Sequence, residues 1–386
     1  MKILIAHNSY GRYSGEEAVV DRTAAMFRSM GHEVVLYQKT TEGLRDTLWG
    51  KVRGFAAGLY SPQGVRTMRD VMRRERPDVV NIHNLYPFIS PAALFECRKA
   101  GVPVVMTVHN FRLVCPTGLF MRNGQPCELC LQRGNEWGCV RYNCEHSAMK
   151  SLGYAARNAV ARWTGAYCRC VTHYVCITDF QRRKLTEAGF DGQRMTVIPN
   201  SVDAPQRLTA TEGSYVAYLG RLSYEKGCDM LIEVARRHPG IAFRLAGAQR
   251  DSSNMTLPPN VTMEGYLTGD DLQRFIDGSR FVVMPSRCYE GFPMAILEGA
   301  QHGKATIGPD HGGFTEIIGR GDEAMGRLFR PGDIGDLERQ VLTLWNDRRL
   351  CDTLGLRAYE KLKSKYSTET VARQWNSLLQ LLARNS

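Results

Sequence analysis

The feature that most constrains this chain is an alternation of short apolar runs with amphipathic stretches, played through twice. Runs at residues 2–6, 31–37, 78–82, 102–108, 173–176 and 195–198 each read as a strand, and helical stretches separate them. The pattern starts afresh at 215–219 and continues through 242–246, 261–263, 281–284, 305–307 and 327–329. Strands that alternate with helices in this way form doubly wound parallel sheets. The fold class predicted is α/β, with two such sheets. A chain of 386 residues also exceeds what one hydrophobic core comfortably serves. The boundary between the halves falls at Pro199-Asn200-Ser201-Val202-Asp203, giving domains over 1–200 and 201–365 and a last helical segment over 366–386.

Composition excludes some classes. The hydrophobic fraction of 43% and charged fraction of 23% are those of a soluble globular protein. No apolar run has the length of a membrane span, and the first strand is too short for a signal peptide. Cytoplasmic residence is expected, with the twelve cysteines reduced. The net charge of +11 sits wholly in residues 1–200, which hold 27 Lys+Arg against 16 Asp+Glu, whereas residues 201–386 hold 23 of each. Such asymmetry suits an acidic partner, either a pyrophosphate-linked acceptor or an anionic membrane surface to which the protein binds peripherally at its inner face. Nucleic acid is disfavoured, because no helix-turn-helix, zinc finger or RNA-binding signature is present. A solvated basic face is the plain alternative. The helical stretch 147–164 puts Leu152, Ala155, Ala159 and Trp163 on one side, as a helix packed on its own sheet or one resting on an anionic surface would.

Chemistry gathers where the strands end, which is where open α/β sheets bind ligands. Three strands of the first half run into the same dipeptide, His7-Asn8, His83-Asn84 and His109-Asn110, which implies a polar crevice there. The first strand-to-helix connection carries Ser14-Gly15 but no G-x-G-x-x-G, so a nicotinamide dehydrogenase is disfavoured. In the second half, Gly220-Arg221-Leu222-Ser223-Tyr224-Glu225-Lys226-Gly227 follows the strand 215–219. A guanidinium and an ammonium just before a helix suit a pyrophosphate. The strand 281–284 stops at Pro285, and Glu290-Gly291-Phe292-Pro293 leads into a helix that begins near Pro293 and bears Glu298. Asp310-His311-Gly312-Gly313 opens a later helix, the glycines permitting either close backbone approach or a tight turn.

Cysteines at 115, 127, 130, 139 and 144 fall in a polar stretch over 115–144. The pair Cys127-Glu128-Leu129-Cys130 with Cys115 and either Cys139 or Cys144 would close a tetrahedral thiolate zinc site. Taken as Cys115, Cys127, Cys130 and Cys144, it would pin the loop; buried free thiols are the alternative. Cys168, Cys170 and Cys176 read as buried small hydrophobes.

The motifs, in this order, resemble those of retaining GT-B glycosyltransferases of family 4, a subset of which carries a similar cysteine-rich insertion. The resemblance spans nearly the whole chain. It rests on Gly220-Arg221-Leu222 with Lys226-Gly227, and on Glu290-Gly291-Phe292 with Glu298. It implies two Rossmann-like domains facing across a cleft, with an acceptor-side domain over 1–200, a donor-nucleotide domain over 201–365, and a terminal helix over 366–386 that crosses back. It further implies a nucleoside diphosphate-sugar as co-substrate, a hydroxyl acceptor that is lipid-linked or an oligosaccharide, and catalysis without a metal cofactor. The pathway implied is bacterial-type polysaccharide or glycolipid assembly. By the same resemblance His109 and Glu290 are catalytic. Gly15, Arg221, Lys226, Gly291, Phe292, Pro293 and Glu298 bind the donor, with Arg221 and Lys226 on the diphosphate and Glu298 on the ribose. The family has Gly-Gly where this chain has Ser14-Gly15. A sugar-nucleotide epimerase and a non-catalytic sugar-nucleotide-binding protein are the alternatives.

Overall fold

The computed structural model describes residues 1–9, 15–41, 48–208, 212–249 and 256–384. Residues 10–14, most of the first strand-to-helix connection, lie outside them. The strands are β1 (Lys2–Ser9), β2 (Glu33–Thr40), β3 (Val79–Ile82), β4 (Val104–Val108), β5 (Met121–Arg122), β6 (Gln125–Pro126), β7 (His173–Cys176) and β8 (Met195–Val197). They continue as β9 (Tyr215–Leu219), β10 (Phe243–Ala246), β11 (Val261–Gly265), β12 (Ser279–Val283), β13 (Thr306–Pro309) and β14 (Gly326–Phe329). Twelve of them form two six-stranded sheets, ordered β2-β1-β3-β4-β7-β8 and β11-β10-β9-β12-β13-β14. Every pairing within these two sheets is parallel. The expected α/β class is what the chain adopts.

The strand interiors explain the apolar runs. Residues of β3, β4, β7 and β9 are all buried. Helices cover both faces of such a sheet, so neither face can be polar. The sequence also signals its helix starts. Ser61 accepts a hydrogen bond from Gly64 N ahead of the helix Pro62–Glu75, whose proline occupies the first turn. Thr178 does the same from Gln181 N for the helix Asp179–Glu187, and Gln181 Oε1 accepts in turn from Ile177 N.

The chain divides into two compact units. One comprises Met1–Gly118, Glu128–Pro199 and Ala372–Ser386; the other comprises Leu119–Cys127 and Asn200–Val371. In the first, a core of Leu4, Val80, Ile82, Val104, Met106 and Tyr174 joins strands to the helices Pro62–Glu75 and Leu94–Lys99. Trp375, on the final helix Thr368–Arg384, meets Phe27 edge to face at 5.1 Å in the same unit. In the second, Val216, Tyr218, Leu245, Phe281 and Val283 pack with Leu231, Leu337 and Leu344.

Two sequence expectations are corrected. The helix Ala148–Thr164 buries Ser151, Gly153, Ala155, Asn158 and Ala161, while Leu152 and Trp163 are exposed. Small residues let this helix approach its neighbours closely: a Cβ on Gly153 would come 2.2 Å from the Phe55 ring. Cys168 is exposed, whereas Cys170 and Cys176 are buried. The helix expected to begin near Pro293 runs Met294–Gln301, with Pro293 as its cap.

Candidate active site

In each sheet two strands adjacent in space leave by connections that run in opposite directions. These switch points, between β1 and β3 and between β9 and β12, open a crevice outside the carboxyl ends of the strands. Three histidines of the first unit, His7, His83 and His109, cluster at one of these points. His83 Nε2 lies 2.7 Å from Asn81 Oδ1, and Asn81 Nδ2 donates to Thr107 Oγ1 at 3.0 Å. His83 Nδ1 is 2.6 Å from His109 Nε2. With the Asn81 amide donating to Thr107, its oxygen must accept, so His83 carries its proton on Nε2. Neutral His83 then accepts at Nδ1, and His109 donates through Nε2. The chain of bonds fixes the tautomer of His109 and leaves its Nδ1 lone pair uncommitted by this network.

Burial disfavours the imidazolium form and lowers the pKa of both rings. For His83 the neighbouring His109 and His7 add to it, driving the value well below the usual one. For His109 the carboxylate of Glu16 opposes burial in part. His7 is wholly buried, its Nε2 3.9 Å from Glu17 Oε1. The three dipeptides are therefore not equivalent. His7 and His83 lie inside, and His109 is the half-buried member. Gly15 is the first residue of the helix Gly15–Ser29, with open space where a Cβ would stand.

In the second unit, Arg221 follows β9 and Glu290 follows β12, on either side of the switch point. Lys226 Nζ meets Glu290 Oε1 at 2.8 Å, and both side chains are largely buried. The two motifs thus meet across 64 residues of sequence (290 − 226). Arg221 is exposed and lies 3.6 Å from Glu225. The glycines are explained by backbone approach. A Cβ on Gly227 would sit 2.0 Å from Pro285 O. One on Gly313 would sit 2.3 Å from Gly291 O and 2.9 Å from Glu290 O, and Gly313 N donates to Glu290 O at 2.8 Å. The Gly312-Gly313 pair therefore carries the Glu290 loop. Phe292 is buried edge-to-face on Tyr366, and Glu298 is half-buried on the helix Met294–Gln301.

Sequence reading gave no role to three residues near these motifs: Asn81, within an apolar strand; His311, whose ring lies 5.3 Å from that of Tyr289; and Tyr289 itself. Burial lowers the pKa of His311.

The expected zinc set does not fit. Among the described residues no group of three or more His, Cys, Asp or Glu is placed to hold a metal ion. The thiols are engaged as hydrogen-bonding groups: Cys139 Sγ donates to Ser151 O at 3.7 Å, Cys144 Sγ to Gly138 O at 3.9 Å, and Cys115 Sγ lies 3.3 Å from Thr117 Oγ1. The adjacent Cys144, together with burial, raises the pKa of Cys139 and keeps it a thiol.

Comparison with known proteins agrees with this architecture. Sucrose-phosphate synthase from Thermosynechococcus elongatus superposes with a TM-score of 0.73 over 100% of both chains at 15% identity. Anabaena HepE in complex with UDP and glucose gives 0.68 over 98% of this chain and 99% of that one at 16% identity. The fold is GT-B. Residues 13–205 match the model of Glycosyltransferase Family 4, and residues 202–361 match that of Glycosyl transferases group 1. The chain belongs to this family of glycosyltransferases. It is 24% identical over 373 residues to an uncharacterized 42.6 kDa protein in the cps region of Klebsiella pneumoniae, covering 88% of this chain and 92% of that one. It is 24% identical over 352 residues to a sulfoquinovosyl transferase of Arabidopsis thaliana, covering 86% of this chain but only 64% of the relative.

Proposed function

We propose that this protein is a retaining glycosyltransferase that moves a sugar from a nucleoside diphosphate-sugar to a hydroxyl of a lipid-linked or oligosaccharide acceptor. The observation that carries the reading is the Lys226–Glu290 pair, which joins the two motifs at the β9/β12 switch point. Arg221 and Lys226 neutralise the leaving diphosphate, so that the two cations supply the charge this step needs and no metal cofactor is required. Glu298 holds the ribose. The Gly291 backbone, with Phe292 packed and Pro293 capping, holds the loop in which Glu290 meets the sugar. By the family resemblance Gly15, at the start of the helix Gly15–Ser29, takes part in donor binding.

Reaction proceeds on one face of the sugar. The bond from the anomeric carbon to the diphosphate oxygen breaks, and the acceptor oxygen bonds to the same face. The departing phosphate oxygen takes the acceptor's proton. Glu290 and His109, its ring fixed by His83, position the sugar and stabilise the positive charge that develops on it. Glu290 also neutralises Lys226 before the donor arrives, so donor binding exchanges a carboxylate for a phosphate on that ammonium.

The bound UDP of Anabaena HepE makes UDP-sugars the first donors to try. The Klebsiella relative's place in a cps region supports a polysaccharide acceptor, and the Arabidopsis sulfoquinovosyl transferase a glycolipid one. Exposed Met149, Leu152 and Trp163, with the net charge of +11 in residues 1–200, support peripheral attachment to an anionic membrane on its cytoplasmic face. The test is turnover of UDP-sugars with wild type and Glu290→Gln, the variant losing about 10²–10³-fold in kcat. Unaltered turnover by the variant would remove Glu290 from the mechanism. Sugar conversion without any acceptor would point to an epimerase.

A further inference from the structure

The stretch Leu119–Cys127 belongs to the second unit, although the residues before and after it belong to the first. It is a minimal hairpin. Met121 pairs with Pro126 and Arg122 with Gln125, and Cys127 N donates to Phe120 O at 2.7 Å. Asn123 and Gly124, at φ of 51° and 72°, form the two-residue turn, which suits the Asn-Gly sequence.

Its two ends rest on two different donor motifs. At the base, Phe120 is 1% exposed and its ring meets that of Tyr289 at 5.8 Å. Tyr289 immediately precedes Glu290, and its other neighbour is the His311 ring. Phe120 has φ of 46°, a left-handed conformation that costs a bulky residue about 1–2 kcal/mol, so its packing must offset strain. At the tip, a Cβ on Gly124 would lie 2.4 Å from Tyr224 Oη. Tyr224 stands between Arg221 and Lys226. Arg287 stacks over its ring at 4.3 Å, donates to its carbonyl at 2.9 Å, and is itself anchored by Asp229 at 2.6 Å. Gln125 Nε2 would lie 3.3 Å from a Cβ on Gly332, a third point of support.

We infer that the hairpin Leu119–Cys127 is a working part of the donor site, with Gly124 setting the Tyr224 ring within the diphosphate loop and Phe120 setting Tyr289 beneath the Glu290 loop. The inference rests on the donor-site reading above. Both are positioning residues, acting through Tyr224 and Tyr289. The two loops meet through the Lys226–Glu290 pair, through Arg287 N and Ser286 Oγ on Glu225 O, and through Arg287 on Tyr224, so a displacement of either changes how charge is shared between the diphosphate and the sugar. The two ends of the hairpin touch different residues of these loops, Tyr224 at the tip and Tyr289 at the base, and their effects are read separately. The tip governs how tightly the diphosphate is held, and the base governs how well Glu290 is aimed.

The experiment measures UDP-induced thermal shift and donor kinetics for wild type, Gly124→Ala, Gly124→Ala with Tyr224→Phe, Phe120→Ala and Phe120→Leu. Gly124→Ala displaces the Tyr224 ring and raises the donor KM about tenfold, with a smaller change in kcat. Adding Tyr224→Phe removes the hydroxyl that the new methyl meets, and recovers most of that loss. Phe120→Ala lowers kcat about tenfold with KM little changed, and Phe120→Leu, which refills the site, recovers part of it. Wild-type KM and kcat in both single variants would overturn the inference. So would equal losses in every parameter without recovery by Tyr224→Phe or Phe120→Leu, since that is the behaviour of a purely structural hairpin. If UDP, GDP and dTDP all leave the wild-type melting point unchanged, the donor-site reading falls and takes the hairpin with it. A wild type that responds alongside variants that match it sinks the hairpin alone.

Discussion

At the scale of single residues, the protonation of His83 and His109 makes stability depend on pH. Burial lowers the folded-state pKa of His83 and His109, whereas in the unfolded chain both titrate near the ordinary value of about 6.5. Above that value neither state binds the proton and the contribution is flat. As pH falls through about 6.5 the unfolded chain takes up protons that the native fold refuses, so stability declines with falling pH until the depressed native values are reached. The melting point should therefore drop between pH 7.5 and pH 5.5, and His83→Asn should make the drop shallower. A variant as steep as wild type would show that other groups cause it. The three His-Asn pairs were visible in the sequence, but their inequality was not. It depends on Asn81 and Thr107, which strand pairing brings beside His83 from two runs that read as purely apolar. Glu298 carries a prediction at the same scale: Glu298→Ala should lose most of the UDP-induced rise in melting point that wild type shows. An undiminished rise would place the ribose elsewhere.

At the scale of elements, runs such as 173–176 and 215–219 became strands with the residues expected, because a strand buried on both faces leaves an unmistakable apolar run. Amphipathic helices were less legible. The side of Ala148–Thr164 that carries Leu152 and Trp163 is outermost, since close packing against Phe55 demanded Gly153 and other small residues on the inner side. Hydrophobicity reports what avoids water, whereas close packing selects for size. The hairpin β5–β6 escaped notice for a different reason: two-residue strands are too short to show any period. The Gly312-Gly313 pair was legible as either a close approach or a tight turn, and what approaches is the Glu290 loop. Gly313→Ala forces backbone against backbone. It should destabilise the second unit by about 1–3 kcal/mol and abolish donor binding together with it. Denaturant melts and UDP titrations check both, and an unchanged UDP affinity would detach Gly313 from the site.

At the scale of the whole molecule, each unit has its own sheet and its own core, and chains so built commonly unfold in more than one step. Arg221, Lys226, Glu290 and Glu298 all lie in the second unit. UDP that binds there stabilises that unit in proportion to its affinity, and the other only as far as the two are coupled. The final helix gives an independent handle on the first unit, because Ala372–Ser386 completes it with Trp375 set against Phe27. Trp375 is 4% exposed, so Trp375→Ala leaves a cavity worth about 3–5 kcal/mol. Calorimetry should therefore resolve two transitions, one lowered by Trp375→Ala and the other raised by UDP. A single transition with equal calorimetric and van't Hoff enthalpies, moved alike by both perturbations, would mean that the two cores melt as one.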